Sequence, residues 1–323
     1  MTALRYSLPA DTLQALQQET IMTTPSATDA RKMLLILFAV NLLNFFDRTI
    51  PGALNEPIKK EFDLSDLQLG LVSTVFILIY AVAGIPLGRL ADTYSRKNVL
   101  AGGVLVWSAF TAASGAVWNY TTLLLARCGV GIGEASCAPA ATSMIGDLYP
   151  AQQRSRAIGI YMLGLPLGLV LAFFTVGPMV QAFDSWRAPL FIAAIPGVLI
   201  ALILWRSQEP KRGAVDAAST AAATTQTTTT QSTSTQSPIK SPIKQLLKIR
   251  TLWWIILSGV TVNFAAYAGN GFIVSLLMRY FELSISQASI YAGFVVGITG
   301  LLSLTLGASI ADKLHQRPQG SRR

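Results

Sequence analysis

The sequence predicts an all-α integral membrane protein of about eight transmembrane helices. Composition is the first reason: of 323 residues 52% are hydrophobic and only 13% charged, about half the charge that a soluble domain carries. The second is a series of apolar runs near 33–54, 67–90, 98–118, 121–147, 157–182, 187–206, 252–278 and 286–310, each long enough for a tilted span. The third is where the charge falls. With residue 1 in the cytoplasm, only Lys59, Lys60, Arg187 and Arg279 lie on the far side, and Arg48 and Arg127 lie within runs. Every other Lys and Arg gathers on the near side, the positive-inside pattern with both termini cytoplasmic. This placement explains the net charge of +9 without a nucleic-acid partner.

Residues 1–32 are polar and hold no short apolar core with a cleavage site, so they read as a cytoplasmic tail and not as a leader. Residues 33–206 carry six runs and read as a six-helix bundle. Pro139, Pro166, Pro178 and Pro196 fall inside them, where neighbouring helices can satisfy the freed backbone groups. Residues 207–250 include a tract of Ala, Thr and Gln with no apolar period, a flexible cytoplasmic linker. Its distal part, Ile243-Lys-Gln-Leu-Leu-Lys-Ile-Arg250, reads either as a basic helix at the headgroups or as a solvated lead-in. Residues 251–323 hold runs seven and eight and a second cytoplasmic tail.

The seventh and eighth runs restart the first and second. Phe62-Asp-Leu-Ser-Asp-Leu-Gln68 matches Phe281-Glu-Leu-Ser-Ile-Ser-Gln287, and Asn44-Phe45 matches Asn263-Phe264 at the same offset. Each longer segment has Ser followed three later by Gln, a capping box. Gly88-Arg-Leu-Ala-Asp92 corresponds to Ala308-Ser-Ile-Ala-Asp312, one residue out of step. A parallel repeat six helices apart is a transporter architecture. A complete second copy needs four more helices.

Several chemistries are excluded. His315 is the only histidine, and Cys128 and Cys137 share one apolar run, so neither a histidine triad nor a metal-ligand pattern exists. No enzyme activity, cofactor or metal is expected. Gly129, Gly131 and Gly133 sit in a membrane run without a strand beside them and read as close helix packing. Gly164, Gly168 and Gly177-Pro178 read as a bend or a packing face. Asn119-Tyr-Thr121 has the form of a glycosylation sequon in a loop too close to the membrane to use it. Trp107, Tyr161 and Tyr267 are candidates to line an amphiphile cavity, and Trp253 and Trp254 read as an interfacial belt.

The buried charges carry the functional signal. Arg127 and Glu134 each cost roughly 2.5–3.5 kcal/mol at the centre of a lipid-embedded helix. Seven residues of helix turn about 700° and rise about 10.5 Å, so both side chains point the same way. They form either an ion pair that glues the bundle or a coupling and substrate site. Asn41, Asn44, Asp47 and Arg48 add polar groups to run one, Asn41 and Arg48 sharing a face. Asp47 and Arg48 read either as cavity residues or as anchors at the headgroups.

Gly88-Arg-Leu-Ala-Asp92-Thr-Tyr-Ser-Arg96-Lys97 resembles the signature loop between helices two and three of the major facilitator superfamily, Gly-x-Leu-Ala-Asp-Arg-x-Gly-Arg-Lys. It departs at Thr93 and Ser95. Asp147 with Arg154 and Arg156 after helix four, Trp186-Arg187 opening helix six and Glu209-Pro210 closing it support the resemblance, which covers about residues 33–315. Within the superfamily, Asn41-Leu-Leu-Asn-Phe-Phe-Asp47-Arg48, Gly131-Ile-Gly-Glu134-Ala-Ser-Cys-Ala-Pro139 and Gln153-Arg-Ser-Arg156 look like the Spinster family, exporters of sphingolipids and lysolipids in animals.

The resemblance implies alternating access without ATP hydrolysis, with Asp47, Arg127 and Glu134 as coupling residues in a central cavity. It implies a cytoplasmic gate at Gly88, Asp92, Arg96, Lys97 and Asp147, with Arg154 and Arg156 as partners. In the superfamily the loop aspartate faces helix eleven, which this chain does not contain. The expected protein is a proton-coupled secondary transporter of a lipid-like amphiphile or small organic solute in the plasma (inner) membrane. One alternative is an organic-anion or sugar-acid symporter gripping a carboxylate with Arg48 and Arg127. Another is a non-transporting membrane fragment or interaction protein.

Overall fold

The computed structural model describes residues 26–213, 249–303 and 306. The N-terminal tail up to residue 25, the linker from 214 to 248 and the second copy of the signature loop lie outside the described residues. Eleven α-helices follow one another among the described residues: α1 Ala27–Ala53, α2 Asn55–Phe62, α3 Asp66–Thr93, α4 Arg96–Gly115, α5 Tyr120–Glu134, α6 Cys137–Leu148, α7 Ala151–Met162, α8 Gly164–Phe183, α9 Ala188–Arg206, α10 Arg250–Phe281 and α11 Ile285–Ala292. A π-helical turn, Gly293–Ile298, continues α11. Seven stretches among the described residues are long and apolar enough to span as continuous units, α7 and α8 counting as one.

The fourth expected span, 121–147, is broken into α5 and α6. Pro139 is the cause: it offers no N–H to the carbonyl of Ala135, four residues back, and its ring crowds that carbonyl. Ala135 and Ser136 keep right-handed helical backbone, so α5 and α6 run on in nearly one direction. The Ser136 hydroxyl donates to the Gly133 carbonyl at 2.8 Å. A second difference is α2, a short helix in a stretch the sequence left as a connection. α1 also starts earlier than the first run: Ser26 caps it, accepting from the Asp29 N–H, so it begins within the stretch read as tail.

The internal repeat is structural. Ser65 with Gln68 caps α3, and Ser284 with Gln287 caps α11, as matching capping boxes. Before each, one residue takes left-handed backbone, Asp63 (φ 49°) and Glu282 (φ 53°), at corresponding positions. Such a residue ends a helix and turns the chain sharply into the next.

Small residues set the helix crossings. A side chain at Gly133 would strike the backbone of Trp107 and Gly103, and one at Gly168 the backbone of Leu42 and Phe46. Gly177 lies against Ser289 and Ile285, and Gly293 against Phe173 and Phe174, so α8 packs tightly on the α11 region. The glycines of α5 and α8 are thus packing positions.

Two apolar clusters fill the first bundle. One, around Leu37, Val104, Trp107, Met144 and Tyr161, lies toward the signature loop. The other, around Ile50, Leu54, Leu123, Phe173 and Trp186, lies toward α2. Asn44, Asp47, Ser108, Thr111, Arg127 and Glu134 are buried between them, a polar layer at mid-height.

Candidate functional site

The mid-height layer brings together the residues singled out in runs one and four. Glu134 is wholly buried, and Asp47, Asn41, Asn44 and Arg127 are each 3% exposed. The expected Arg127–Glu134 contact is not made: no ion pair within 4.0 Å joins them. Glu134 instead takes Arg48, whose Nε lies 2.6 Å from its Oε2. The helix explains the difference. Seven residues keep Arg127 and Glu134 on one face but hold them about 10.5 Å apart along the axis, whereas the long Arg48 side chain crosses from α1. Arg48 runs through an aromatic sleeve, 4.4 Å from the Tyr80 ring centre, 5.1 Å from Phe45 and 5.5 Å from Phe76. Asp47 and Arg48 therefore face the interior, not the headgroups.

Arg127 sits 5.0 Å over the Phe76 ring, and its Nε has no hydrogen-bond partner. Asp47 neighbours Trp107 and Thr111. Asp47 Oδ1, Trp107 Nε1, Thr111 Oγ1, Ser108 Oγ, Asn44 Nδ2 and Glu134 Oε1 are likewise buried without a well-formed hydrogen bond, although Trp107 and Thr111 face Asp47, and Asn44 faces Glu134, as loose polar neighbours. Asn41 differs, since its amide donates to the Tyr161 carbonyl at 2.8 Å; it ties α1 to α7. A buried polar group left wholly without a partner costs about 1–3 kcal/mol, so a layer this loosely bonded is only partly satisfied by the fold.

Arg48 and Arg127 both open on a cavity of about 220 Å³ between the first bundle and α10. Phe45, Phe76, Ile77, Leu165 and Leu169 form its apolar wall, and Thr49, Ser73, Asn263, Tyr267 and Asn270 its polar one. The cavity therefore offers two cations and several neutral hydrogen-bonding groups beside an apolar surface. Sequence reasoning named Tyr267 and saw Asn263 only as the repeat partner of Asn44. It missed Tyr80 and Asn270. The spacing of Phe76 and Tyr80 places both on one helix face, a signal that was available.

The expected gate residues form a second cluster on the signature-loop face. Arg96 is 1% exposed and nearly saturated: it is bonded to Asp147, to Ser143 Oγ at 3.2 Å, to Glu209 Oε1 at 3.2 Å and to the Pro210 carbonyl at 2.6 Å. Glu209 also accepts from the Ser95 hydroxyl and, at 2.8 Å, from the Arg96 N–H, capping α4. Burial opposes ionisation of Glu209, yet these donors hold its carboxyl below the usual range. Lys97 donates to the Trp205 and Ser207 carbonyls at the end of α9, and Arg212 to those of Ala91, Asp92 and Tyr94 at the end of α3. Cations there complement the helix dipole.

Asp147 is met by Arg96 and by the Gly213 N–H at 2.9 Å. Arg154 turns to the Gly146 carbonyl at 2.7 Å, and Arg156 is exposed. A Cβ at Gly88 would lie 3.9 Å from Pro139 Cβ, and Asp92 is exposed. No group of His, Cys, Asp and Glu suited to a metal ion exists among the described residues.

Residues 37–322 match the family model described as Major Facilitator Superfamily. The chain belongs to the major facilitator superfamily. It is Spinster-like: it is 37% identical over 188 residues to protein spinster homolog 1 of Xenopus laevis, covering 57% of this chain and 36% of that protein. It is 31% identical over 299 residues to the sphingosine-1-phosphate transporter SPNS2 of Danio rerio, covering 88% and 57%. A crystal structure of a bacterial homolog to the human lysosomal transporter Spinster, inward-facing and unoccupied, superposes with a TM-score of 0.76 at 30% identity, covering 90% of this chain and 64% of that one. The chain thus spans less than two thirds of the length of these relatives.

Proposed function

We propose that this chain serves a secondary transporter that moves an amphiphilic anion by alternating access, coupled to protons. The observation that carries the proposal is Arg127. It is a buried guanidinium whose Nε has no hydrogen-bond partner and whose counter-charges, Asp47 and Glu134, act without direct contact, and it shares a cavity with Arg48. An anionic headgroup supplies what it lacks, while Phe45, Phe76, Leu165 and Leu169 receive an apolar body. Kinship with a sphingosine-1-phosphate transporter supports a lipid-like substrate. Glu134, tied to Arg48, and Asp47 are the carboxylates proposed to take up and release the proton. When a headgroup draws Arg48 or Arg127 away, a carboxylate loses its counter-charge and binds a proton more readily.

The gate is assigned to the signature-loop cluster: Gly88, Asp92, Arg96, Lys97, Asp147, Arg154 and Arg156. The bundle at 33–206, the linker at 207–250 and the segment at 251–323 are the proposed domains. Both termini and the signature loop are taken to be cytoplasmic, in the plasma (inner) membrane, because the basic residues gather there.

A second reading is favoured by size. A cavity of about 220 Å³ lies below the roughly 300–1,000 Å³ of drug-sized ligand sites and suits a small organic or sugar acid. Thermal-shift protection by a panel of lysophospholipids and sugar acids separates the two, followed by uptake into proteoliposomes with and without a pH gradient. Protection by lysolipids with gradient-dependent uptake supports the first reading, and protection by sugar acids alone supports the second. A well-folded chain that neither binds nor transports any of them contradicts both and favours a non-transporting membrane fragment.

A further inference from the structure

The membrane face opposite the signature loop carries charges of both signs that the transport reading leaves unused. Arg279, in the last turn of α10, reaches across to the first bundle. Its Nε lies 2.9 Å and its Nη2 2.8 Å from Glu56 Oε1 on α2. Its Nη1 lies 3.0 Å from Asp66 Oδ2, and Nη2 lies 2.7 Å from Asp66 Oδ1, at the start of α3. All three guanidinium nitrogens are thus spent on two carboxylates, the planar fork that arginine offers and lysine does not. Lys59 adds a contact to Asp66 Oδ1 at 2.7 Å, and the α3 N-terminus favours negative charge there.

Two uncharged contacts close the same seam. Asn55 Nδ2 donates to the Gly271 carbonyl at 2.7 Å. A Cβ at Gly52 would lie only 3.2 Å and 3.3 Å from the carbonyl oxygens of Gly271 and Asn270, so the α1 and α10 backbones meet almost directly. Toward the signature loop the relation reverses: residues 253–269 of α10 are exposed.

We infer that Arg279 is a gating residue, whose fork onto Glu56 and Asp66 holds this mouth of the central cavity shut while the signature-loop mouth stands open. Magnitude supports a latch over a permanent tie. The Arg279 side chain is 33% exposed, Asp66 52% and Glu56 20%, and ion pairs this exposed are each worth about 0.2–1 kcal/mol. Such contacts can break within a transport cycle. The latch is also one-sided: Ile285 occupies the repeat position of Asp66, so the second copy returns no acid. Its role in transport rests on the alternating-access reading; the closure itself does not.

The test is a distance across the seam. Spin labels are placed on cysteines at Lys60 and Glu282, both exposed, in the full chain with Cys128→Ser and Cys137→Ser. Double electron–electron resonance is then recorded in nanodiscs. Arg279→Gln is expected to raise a longer-distance population about three- to fivefold. Arg279→Lys should act partially, and Arg279→Asp with Asp66→Arg should restore the short distance. Raised ionic strength should lengthen the distance in the parent chain and add little to Arg279→Gln, since salt screens exposed pairs. Elution profile and melting temperature confirm that each variant folds. An unchanged short distance in folded Arg279→Gln and in Glu56→Gln with Asp66→Asn overturns the latch. Proteoliposome uptake is scored separately: no uptake by the parent chain counts against transport, while the distance still decides the latch.

Discussion

Two buried arginines in this molecule have opposite surroundings. Arg96, on the signature-loop face, is held by Asp147, Glu209, Ser143 and the Pro210 carbonyl. Arg127, at mid-height, has an aromatic ring and a cavity but no ion pair or hydrogen bond among the described residues. The cost of burying a guanidinium is the same kind of cost at both positions. At Arg96 the fold supplies the compensation, so that arginine is a fastener. At Arg127 it does so only at a distance, through the charges of Asp47 and Glu134, and direct contacts are left for a ligand to bring. Burial of charge therefore does not mark a binding site by itself; burial with free donors beside a cavity does.

Breaking Arg96 should give the largest effect. Arg96→Gln removes the cation that Asp147 and Glu209 share, leaving them only the Gly213 N–H, the Ser95 hydroxyl and the residue-96 N–H, and is expected to cost up to about 3–5 kcal/mol of stability, read as lost expression or a steep fall in melting temperature. Arg127→Gln strands no hydrogen-bond partner and should cost less than about half of that, while substrate protection in the thermal-shift assay disappears. Glu134→Gln sharpens the comparison from the carboxylate side. It breaks the buried pair with Arg48, so a lower melting temperature is expected; the fraction that folds should still bind yet lose gradient-driven accumulation, because a neutral glutamine imitates the protonated acid. Asp47→Asn is expected to lose accumulation as well, and undiminished uphill accumulation in either variant removes that residue from the coupling.

The smallest effect is expected at Glu61, where Arg187 Nη1 lies 2.7 Å from its Oε2 and Trp186 also donates to it. The Arg187 hydrogen bond holds this carboxyl below its ordinary range. A depressed folded pKa contributes stability above the unfolded value, near 4.3, and that stability is lost as pH falls through the folded value. Glu61→Gln should therefore leave melting unchanged at low pH and lower it slightly at neutral pH. Equal lowering at both ends would contradict the assignment.

Much of this arrangement was legible in the chain. Run length and charge asymmetry gave the spans, and the matched Ser-x-x-Gln segments gave the repeat, because capping and hydrophobic length are local properties. The buried charges were legible as costs. Their pairing was not: Arg48 reaches Glu134 only because α1 crosses α5, a tertiary fact with no local mark. The break at Ala135–Ser136 is half-visible in the chain, since Pro139 removes the N–H that the Ala135 carbonyl would meet. The segment 207–213, whose Glu209, Pro210, Arg212 and Gly213 bond to the first bundle, is visible in the chain only as a family mark, Glu209-Pro210, although Arg212 and Lys97 cap helix ends that any sequence leaves unsatisfied.

The most direct test sets the two arginines side by side. Melting temperature is measured for the parent chain, Arg96→Gln and Arg127→Gln, each with and without a saturating lysophospholipid or sugar acid that protects the parent. The account predicts a large ligand-independent loss for Arg96→Gln. For Arg127→Gln it predicts a small loss, with the ligand-induced rise abolished. Full ligand protection in a folded Arg127→Gln protein would contradict it.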